Sequence, residues 1–373
     1  MQKYIWQQPH WPHFTWDEKR LSKLLGQVRL HQGQLIQKMN LIVGDDLNRS
    51  RAVILEQETL KTALIEGEKY DPLSVRSSIH ARLNLSVAGL PNPSRQIDGL
   101  IDVILDAVKN PSLPLKKSRL YAWHATLFPT GYSQLFKIRT GKFRDDQNGP
   151  MQVVSGILGH EKIHYQAPSA SRLSDEMTTF INWWNQNHKD LDGVIKAGLA
   201  HFYLVTIHPF DDGNGRLARV ITDMAIAQDD GAPYRYYSLS SEIIKRKAQY
   251  YKVLELSQKG NLDVTNWLYW FLETFLLALK SSEILLSDIF SKTSFWHKNQ
   301  HITLNGRQQK LLNKIMDAGR SEFISGITTR QYMSINHSIS RSTAIRELQD
   351  LVKHKILIPN KKRGRSVSYH LNW

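Results

Sequence analysis

The chain has 373 residues, more than one ordinary domain needs, and its 41% hydrophobic and 22% charged residues allow it to build buried cores. It contains no cysteine, which excludes disulfides, zinc–cysteine sites and thiol nucleophiles and agrees with a cytoplasmic protein. Its net charge of +15 is uneven, because residues 291–373 contain 15 Lys or Arg against 4 Asp or Glu; this predicts an anionic partner at that end.

No segment has the length and apolarity that a membrane span requires. The first residues, MQKYIWQQPHWPHF, lack the apolar run of a signal peptide. The most apolar stretch, residues 267–279, is short and contains Glu273, whereas a span needs about 20 apolar residues. We therefore expect no membrane partner.

Residues 1–96 are predicted to form a helical N-terminal domain. Within residues 50–66 the apolar side chains recur at helical spacing, and Gly67 follows as a natural helix end. The glycines and prolines between residues 85 and 99 indicate a connecting segment.

Residues 97–260 are predicted to form a second, mostly helical domain with one exception. Turn residues at 145–150 lead into two short β-prone runs, 151–154 and 163–165, which predicts a hairpin inserted into a helical domain. Residues 261–300 are predicted to form connecting helices, so the expected fold class is mainly α.

Residues 301–373 show a different pattern. Helical spacing occurs at 307–318, near 328–334 and at 340–353, and two β-prone runs then flank the basic stretch 360–365. Three helices followed by a basic hairpin are typical of a winged helix, a variant of the helix-turn-helix.

The segment that indicates chemistry lies between two predicted helices of the second domain. The first helix must end before Pro209, because a residue that precedes proline is disfavoured in helical geometry, and His208 therefore lies at the helix end. Gly213 and Gly215 allow a tight turn and a close approach to a ligand before the next helix begins.

The residue types of this loop suit phosphate chemistry. The N-terminus of a helix attracts anions, and Arg216 and Arg219 add fixed charge one turn apart. Asp212 is a hard carboxylate of the kind that holds Mg²⁺, and His208 can accept a proton near neutral pH. An ordinary turn would explain each residue singly. A calcium loop that starts at Asp211 is excluded, because its third and twelfth positions would be glycine and threonine.

Together these residues spell His-Pro-Phe-x-Asp-Gly-Asn-Gly-Arg-x-x-Arg from His208 to Arg219, which is the complete signature of the Fic family. The chain resembles that family over residues 115–259. The resemblance implies an adenylyltransferase that uses ATP and Mg²⁺ to modify a Ser, Thr or Tyr hydroxyl of a target protein or of the chain itself. In this role His208 would be the general base and Asp212 the metal ligand.

The resemblance also assigns the nucleotide site and a flap that docks the target as an added strand. The ATP contacts it implies are Asp212, Gly213, Asn214, Gly215, Arg216, Leu217, Ala218, Arg219, Tyr250, Tyr251 and Gln258. Two of these, Tyr250 and Tyr251, would equally suit a core, and relatives often have asparagine where this chain has Gln258. The flap would comprise Met151, Gln152, Val153, Val154, Ser155 and Gly156, followed by residues 163–165.

The segment Thr62-Ala63-Leu64-Ile65-Glu66-Gly67 matches an inhibitory motif that many Fic proteins carry in an N-terminal helix. Thr62 and Glu66 are four residues apart and share a helix face. The resemblance implies that Glu66 pairs with Arg219 and keeps ATP from its productive position, or that it assists the removal of AMP. A solvated surface carboxylate is the alternative.

The basic C-terminal segment predicts a nucleic-acid surface, with a recognition helix that reads bases and a wing that contacts phosphates. The residues predicted to make these contacts are Arg341, Ser342, Thr343, Arg346, Lys361, Lys362, Arg363 and Arg365. A solvated charge run, or a winged helix that binds protein or forms dimers, would explain the same pattern.

Two functions from different classes therefore remain. The first is a self-inhibited protein adenylyltransferase, which an intact His208 favours, and relatives that transfer other phosphate-containing groups belong to the same class. The second is a DNA-binding regulator whose Fic domain only senses a nucleotide. A homodimer is compatible with both.

Overall fold

A computed structural model of the chain describes residues 3–133, 135–147, 149–155, 162–188, 190–322, 326–336, 339–360 and 367–372. The chain folds into two compact units, Met1–Ile284 and Leu285–Trp373. The fold is mainly helical with a few small hairpins, which confirms the predicted class. The four-domain division, at residues 96, 260 and 300, is finer than these two units and stays a prediction. None of the helices in these ranges combines the length and apolarity needed to cross a membrane.

Three helices begin the first unit: α1 (Glu18–Asn40), α2 (Gly44–Ile65) and α3 (Pro72–Arg82). Side chains cap two of them, because Asp17 accepts from Arg20 N and Asp71 accepts from Ser74 N. Helix α2 begins before the predicted residue 50 and ends at Ile65, so Glu66 follows at its C-cap and Gly67 adopts a positive φ of 85°.

Eight further helices follow in the described part of the first unit. They are α4 (Arg95–Lys109), α5 (Lys117–Leu127), α6 (Leu173–Asn185), α7 (Gly193–Ile207), α8 (Asn214–Asp230), α9 (Leu239–Lys245), α10 (Lys247–Gln258) and α11 (Thr265–Leu285). Helix α7 is the centre of this arrangement, because nearly all its side chains are buried. It packs closely against α8 and α11: a methyl group on Gly198 would lie only 2.9 Å from Phe271 Cδ1.

Two small hairpins interrupt these helices. Strands β1 (Tyr132–Ser133) and β2 (Phe136–Lys137) form one, and β3 (Gln152–Ser155) and β4 (Lys162–Gln166) form the other. The second pairs Gln152 with Gln166 and Ser155 with Lys162, with an irregularity after Val153. The hairpin predicted within residues 142–167 is therefore present.

The second unit contains α12 (Ser287–Lys298), α13 (Gly306–Glu322), β5 (Ile327–Thr328), α14 (Thr329–Ile335), α15 (Arg341–Lys353), β6 (Leu357–Pro359) and β7 (Ser368–Leu371). The three strands are antiparallel in the order β5-β7-β6 and pack with the helices on their own core, which includes Leu311, Leu348 and Leu351. The elements α13, α14, α15, β6 and β7 follow the predicted order, and β5 was not predicted. The winged-helix assignment stays a prediction.

Candidate active site

His208 is placed by an unusual backbone at the end of α7. Its φ of 53° and ψ of 57° are left-handed, a conformation that costs energy for a residue with a side chain, and Pro209 follows directly. Its Nδ1 lies 3.2 Å from the Val205 carbonyl oxygen, so Nδ1 must bear the proton and Nε2 keeps a free lone pair. The pKa of His208 is lowered to about 4, chiefly by burial and in part by the nearby Arg144 charge. His208 is therefore a neutral imidazole at neutral pH and can accept a proton.

Arg144 fixes the backbone on which His208 stands. Its Nε donates to the His208 carbonyl oxygen at 2.8 Å, and its backbone N–H donates to the Pro209 carbonyl oxygen at 2.9 Å. The same guanidinium reaches Asp146 and the Pro168 carbonyl oxygen, and it is almost fully buried. These hydrogen bonds stabilise the left-handed backbone conformation of His208.

The loop after Pro209 is held by its own side chains and by His124. The Asn214 side chain accepts from Phe210 N at 3.0 Å and donates to Phe210 O at 2.8 Å, so its amide serves the loop. His124 stacks on the Phe210 ring with centroids 4.3 Å apart, and its Nε2 lies 3.2 Å from Asp212 O. Gly213 has a φ of 78°, and a methyl group there would lie 2.8 Å from the Phe128 ring. Only glycine suits that position.

The N-terminus of α8 presents two buried arginines. Arg216 and Arg219 are 3% and 2% exposed, and within the described chain Arg216 Nε, Arg216 Nη2 and Arg219 Nη1 have no hydrogen-bond partner. Buried guanidinium N–H groups without partners are costly, and an anion would satisfy them. Together with the open first turn of α8, they form a site suited to phosphate.

The carboxylate of Glu66 occupies part of this phosphate site. Glu66 Oε1 accepts from Arg219 Nη2 at 2.7 Å, while Thr62 Oγ1 accepts from Arg219 Nε at 2.6 Å. A methyl group on Gly215 would collide with Glu66 Oε1, which places the carboxylate directly against the first turn of α8. The structure thus contains the Glu66–Arg219 ion pair that the resemblance implies, and the contact of Thr62 with Arg219 was not predicted.

A second carboxylate, that of Glu68, also contacts the phosphate site. Glu68 Oε1 accepts from Arg216 Nη1 at 3.0 Å, and its other oxygen accepts from Tyr70 at 2.7 Å. Lys247 Nζ donates to the Ile65 carbonyl oxygen at 2.6 Å and so holds the last turn of α2. The end of α2 thus brings one carboxylate to each of the two phosphate-site arginines.

A cavity of about 730 Å³ adjoins this site. Its walls include His208, Gly215, Glu66, the flap residues Met151 to Ser155, and the predicted nucleotide residues Tyr250, Tyr251 and Gln258. The apolar share of this wall suits an aromatic base.

The predicted ATP contacts differ in how accessible their side chains are to a ligand. Leu217 and Ala218 are fully buried in α8, so only their backbone could serve a ligand. Tyr250 is both cavity wall and core residue, because its hydroxyl meets His201 Nε2 at 2.9 Å inside the helices. Tyr251 remains 42% exposed, and Gln258 Nε2 donates to Thr206 Oγ1 at 3.3 Å. Gly156 of the predicted flap lies outside the described residues.

The flap is tied to α10 across the cavity. His164 Nδ1 lies 2.7 Å from Glu255 Oε2, and His164 Nε2 lies 2.5 Å from Ser155 Oγ. The carboxylate therefore orients an imidazole that polarises a serine hydroxyl on the cavity wall.

Asp212 is the predicted metal ligand. Its carboxylate is 38% exposed and accepts from Ser133 Oγ. No group of three or more His, Asp or Glu side chains with metal-binding geometry occurs among residues that the structure describes. One accessible carboxylate fits Mg²⁺ that is held largely by phosphate oxygens and water.

On the second unit, Arg341, Ser342 and Arg346 are exposed on α15, and Thr343 is half-buried. The predicted wing residues Lys361, Lys362, Arg363 and Arg365 lie outside the described residues.

Glu68, Arg144 and His124 were not predicted from the sequence. They act on residues 148, 64 and 88 positions away along the chain, and no local motif marks them. Only the fold brings them to the loop.

Known proteins resemble parts of this chain. Residues 4–85 match a domain of unknown function, DUF4172. The protein adenylyltransferase fic-1 of Caenorhabditis elegans is 27% identical over 95 residues, which are 25% of this chain and 18% of that protein. The protein adenylyltransferase Fic of Drosophila melanogaster is 33% identical over 96 residues, which are 26% and 18% of the two chains. The chain thus matches less than a fifth of the length of these relatives.

Solved structures share the fold. A Fic family protein from Desulfovibrio desulfuricans superposes with a TM-score of 0.57 at 18% identity, covering 94% of this chain and 95% of that one. A Fic domain containing signaling protein from Bacteroides thetaiotaomicron gives a TM-score of 0.51 at 19% identity, covering 71% and 98%. Residues 114–226, which hold the loop from His208 to Arg219, match the Fic/DOC family.

Proposed function

We propose that this chain is a protein adenylyltransferase that moves AMP from ATP to a Ser, Thr or Tyr hydroxyl of a target protein or of itself. The observation that carries the proposal is the neutral His208, with its free Nε2, beside a phosphate site built from Arg216, Arg219 and the start of α8. Relatives named as protein adenylyltransferases are 27% and 33% identical to this chain over 95 and 96 residues.

His208 Nε2 would take the proton of the attacking hydroxyl. The hydroxyl oxygen would bond to the α-phosphorus of ATP, and pyrophosphate would leave. Arg216 and Arg219 would hold the phosphate oxygens. Mg²⁺, bound through Asp212, would neutralise charge on the phosphates. The wall of Tyr250, Tyr251 and Gln258 would contact the base, and strand β3 of the flap would pair with the target backbone.

Glu66 would restrain this activity. Its carboxylate bonds Arg219 and lies against Gly215, where the terminal phosphate of ATP would require the same donors. A ligand and Glu66 would therefore compete for Arg219. If Glu66 instead orients a water, the same site would remove AMP from a modified protein.

The test is transfer of label from α-³²P-ATP with Mg²⁺ to the chain itself or to lysate proteins. We expect Glu66→Gly to label far more than the unchanged protein, and Glu66→Gly with His208→Ala to label nothing. Glu56→Gly is the matched control, because Glu56 lies on the same helix and pairs with Arg76 and His80 rather than with an arginine of the phosphate site. Absence of label from every variant, despite ATP binding, would refute AMP transfer and favour a nucleotide sensor.

We propose further that the second unit binds DNA through the start of α15. Arg341 and Arg346 are exposed there, on a unit that carries most of the net charge. Duplex binding by the full chain should weaken in Arg341→Ala with Arg346→Ala, and the slope against salt should fall by about 2. Lys353→Ala, at the other end of α15, is the control. No loss of binding, or no binding at all, would contradict the proposal.

A further inference from the structure

The first residues of the chain pack against the flap strands β3 and β4. Tyr4 is buried and meets the Tyr165 ring edge-on, with centroids 5.3 Å apart. Tyr4, Tyr165 and Ala167 form one small core, against which Trp6 and Val153 also pack. The Trp6 indole donates from Nε1 to the Gln166 carbonyl oxygen at 2.9 Å.

The flap residues that receive these contacts belong to the cavity. Tyr165 and Val153 both line it. The Tyr165 hydroxyl also donates to the Thr206 carbonyl oxygen at 2.7 Å, two residues before His208. Tyr165 therefore joins the N-terminal segment, the flap and the helix that carries the proposed base.

The flap needs support from outside itself. Strands β3 and β4 form a two-stranded sheet, and an isolated hairpin is marginal in water. The N-terminal segment can supply that support because it is anchored elsewhere. Trp11 Nε1 donates to Glu176 Oε2 at 2.7 Å on α6, and the Phe14 ring meets the Tyr203 ring of α7 edge-on at 5.4 Å.

We propose that Tyr4 and Trp6 are positioning residues that hold the flap over the cavity. The matched domain of unknown function would thereby act on the site at two places. Its start would set the flap, and the carboxylates after α2 would hold the phosphate-site arginines. The effect on transfer rests on the proposed function, whereas the effect on flap order does not.

The test is hydrogen exchange of the full chain, read by mass spectrometry in peptides that cover the flap strands and in peptides that cover residues 208–219. Tyr4→Ala and Trp6→Ala should each speed exchange in the flap about tenfold, as expected for the loss of a ring contact or a hydrogen bond. Exchange at 208–219 should stay unchanged. Tyr4→Phe, which keeps the ring, should restore slow exchange in the flap.

Tyr234→Ala is the matched control, because the Tyr234 ring contacts Arg51 in the same unit rather than the flap or the N-terminal segment that supports it. It should leave flap exchange as it is. The proposal is overturned if Tyr4→Ala and Trp6→Ala leave the flap protected, or if exchange rises equally throughout the chain. In the Glu66→Gly background the same two changes should slow self-labelling. A Glu66→Gly protein that labels nothing would contradict the proposed function and leave the exchange result to decide the role of Tyr4 and Trp6.

Discussion

Gly215 lies directly against the Glu66 carboxylate, where the proposed restraint would meet the phosphate site. A methyl group there would collide with the end of the flexible Glu66 side chain, which can turn away at little cost. We expect Gly215→Ala to change the free energy of unfolding by less than about 1 kcal/mol and to raise basal transfer. Urea unfolding and α-³²P-ATP labelling measure the two effects.

The same change in a Glu66→Gly background should add no further transfer, because the colliding carboxylate is gone. If Gly215→Ala remains as inactive as the unchanged protein while Glu66→Gly labels strongly both with and without Gly215→Ala, the carboxylate does not restrain the site from this position.

Asn214 holds the loop through the backbone of Phe210. Replacing it with alanine leaves a buried N–H without its acceptor, which costs about 1–3 kcal/mol. Asn214→Ala should lower the free energy of unfolding by that amount and reduce transfer in the Glu66→Gly background.

Asn185→Ala is the matched control for the Asn214 prediction. The Asn185 side chain makes the same pair of bonds to the backbone of Leu115, at 2.9 and 2.8 Å, away from the loop. It should destabilise without slowing transfer per folded molecule. Equal loss of transfer in both variants would show that Asn214 acts through stability alone.

The residues of the site divide by how far apart in sequence their partners lie. His208 to Arg219 are contiguous, and their chemistry could be predicted because a helix end, two glycines and two arginines act within one loop. The pairing of Glu66 with Arg219 could be predicted only through a family resemblance. Glu68 and Arg144 could not be predicted, because their roles exist only when distant segments are packed together.

Among the elements, α2 is anchored far from its end. Glu58 is buried and accepts from Ser240 N at 3.1 Å and from Ser238 Oγ at 3.0 Å. Its carboxylate also lies 3.5 Å from Arg235, which pairs with the buried Asp223 of α8. Release of Glu66 therefore requires only the last turn of α2 to change.

From this anchor we expect two variants of α2 to differ. Glu58→Ala breaks a buried charged network and should cost about 3–5 kcal/mol of unfolding free energy, whereas Glu66→Gly should cost about 1 kcal/mol or less. Both should raise labelling per folded molecule, because both loosen the contact with Arg219. Chemical denaturation and labelling of the same samples check this. Equal stability of the two variants would contradict the anchoring role of Glu58.

Element type could be predicted better than element ends. The apolar spacing in residues 50–66 predicted a helix, but α2 begins at Gly44 because Asp45 and Asp46 suit a first turn that has no apolar pattern. Strand β5 has two residues, too few for any alternation to show. The flap hairpin could be predicted because turn residues and β-prone runs both mark it.

For the whole molecule, three buried histidines make the free energy of unfolding depend on pH below neutrality. Burial lowers the pKa of His124 and His208 to about 4 and that of His201 to about 3. Unfolded histidines titrate near 6.5, so below that pH the unfolded chain binds more protons than the folded chain. The contribution of these three histidines to the free energy of unfolding should therefore be fully present above about pH 6.5 and fall as pH drops toward 4.

His201→Gln tests this response. Glutamine can replace both hydrogen bonds of His201, to Thr222 and Tyr250, and does not titrate. The loss of unfolding free energy between pH 6.5 and 4 should be smaller in His201→Gln than in the unchanged protein. An identical loss would show that His201 does not take part.

The sharing of Arg219 between Glu66 and an anionic ligand has a thermodynamic consequence. Two groups that exclude each other from one guanidinium are linked, so each lowers the apparent affinity of the other by the same factor. A partner that draws Glu66 away would tighten nucleotide binding, and a rising nucleotide concentration would itself favour the active form. The resting activity of such a molecule would then vary continuously with the concentrations of nucleotide and partner.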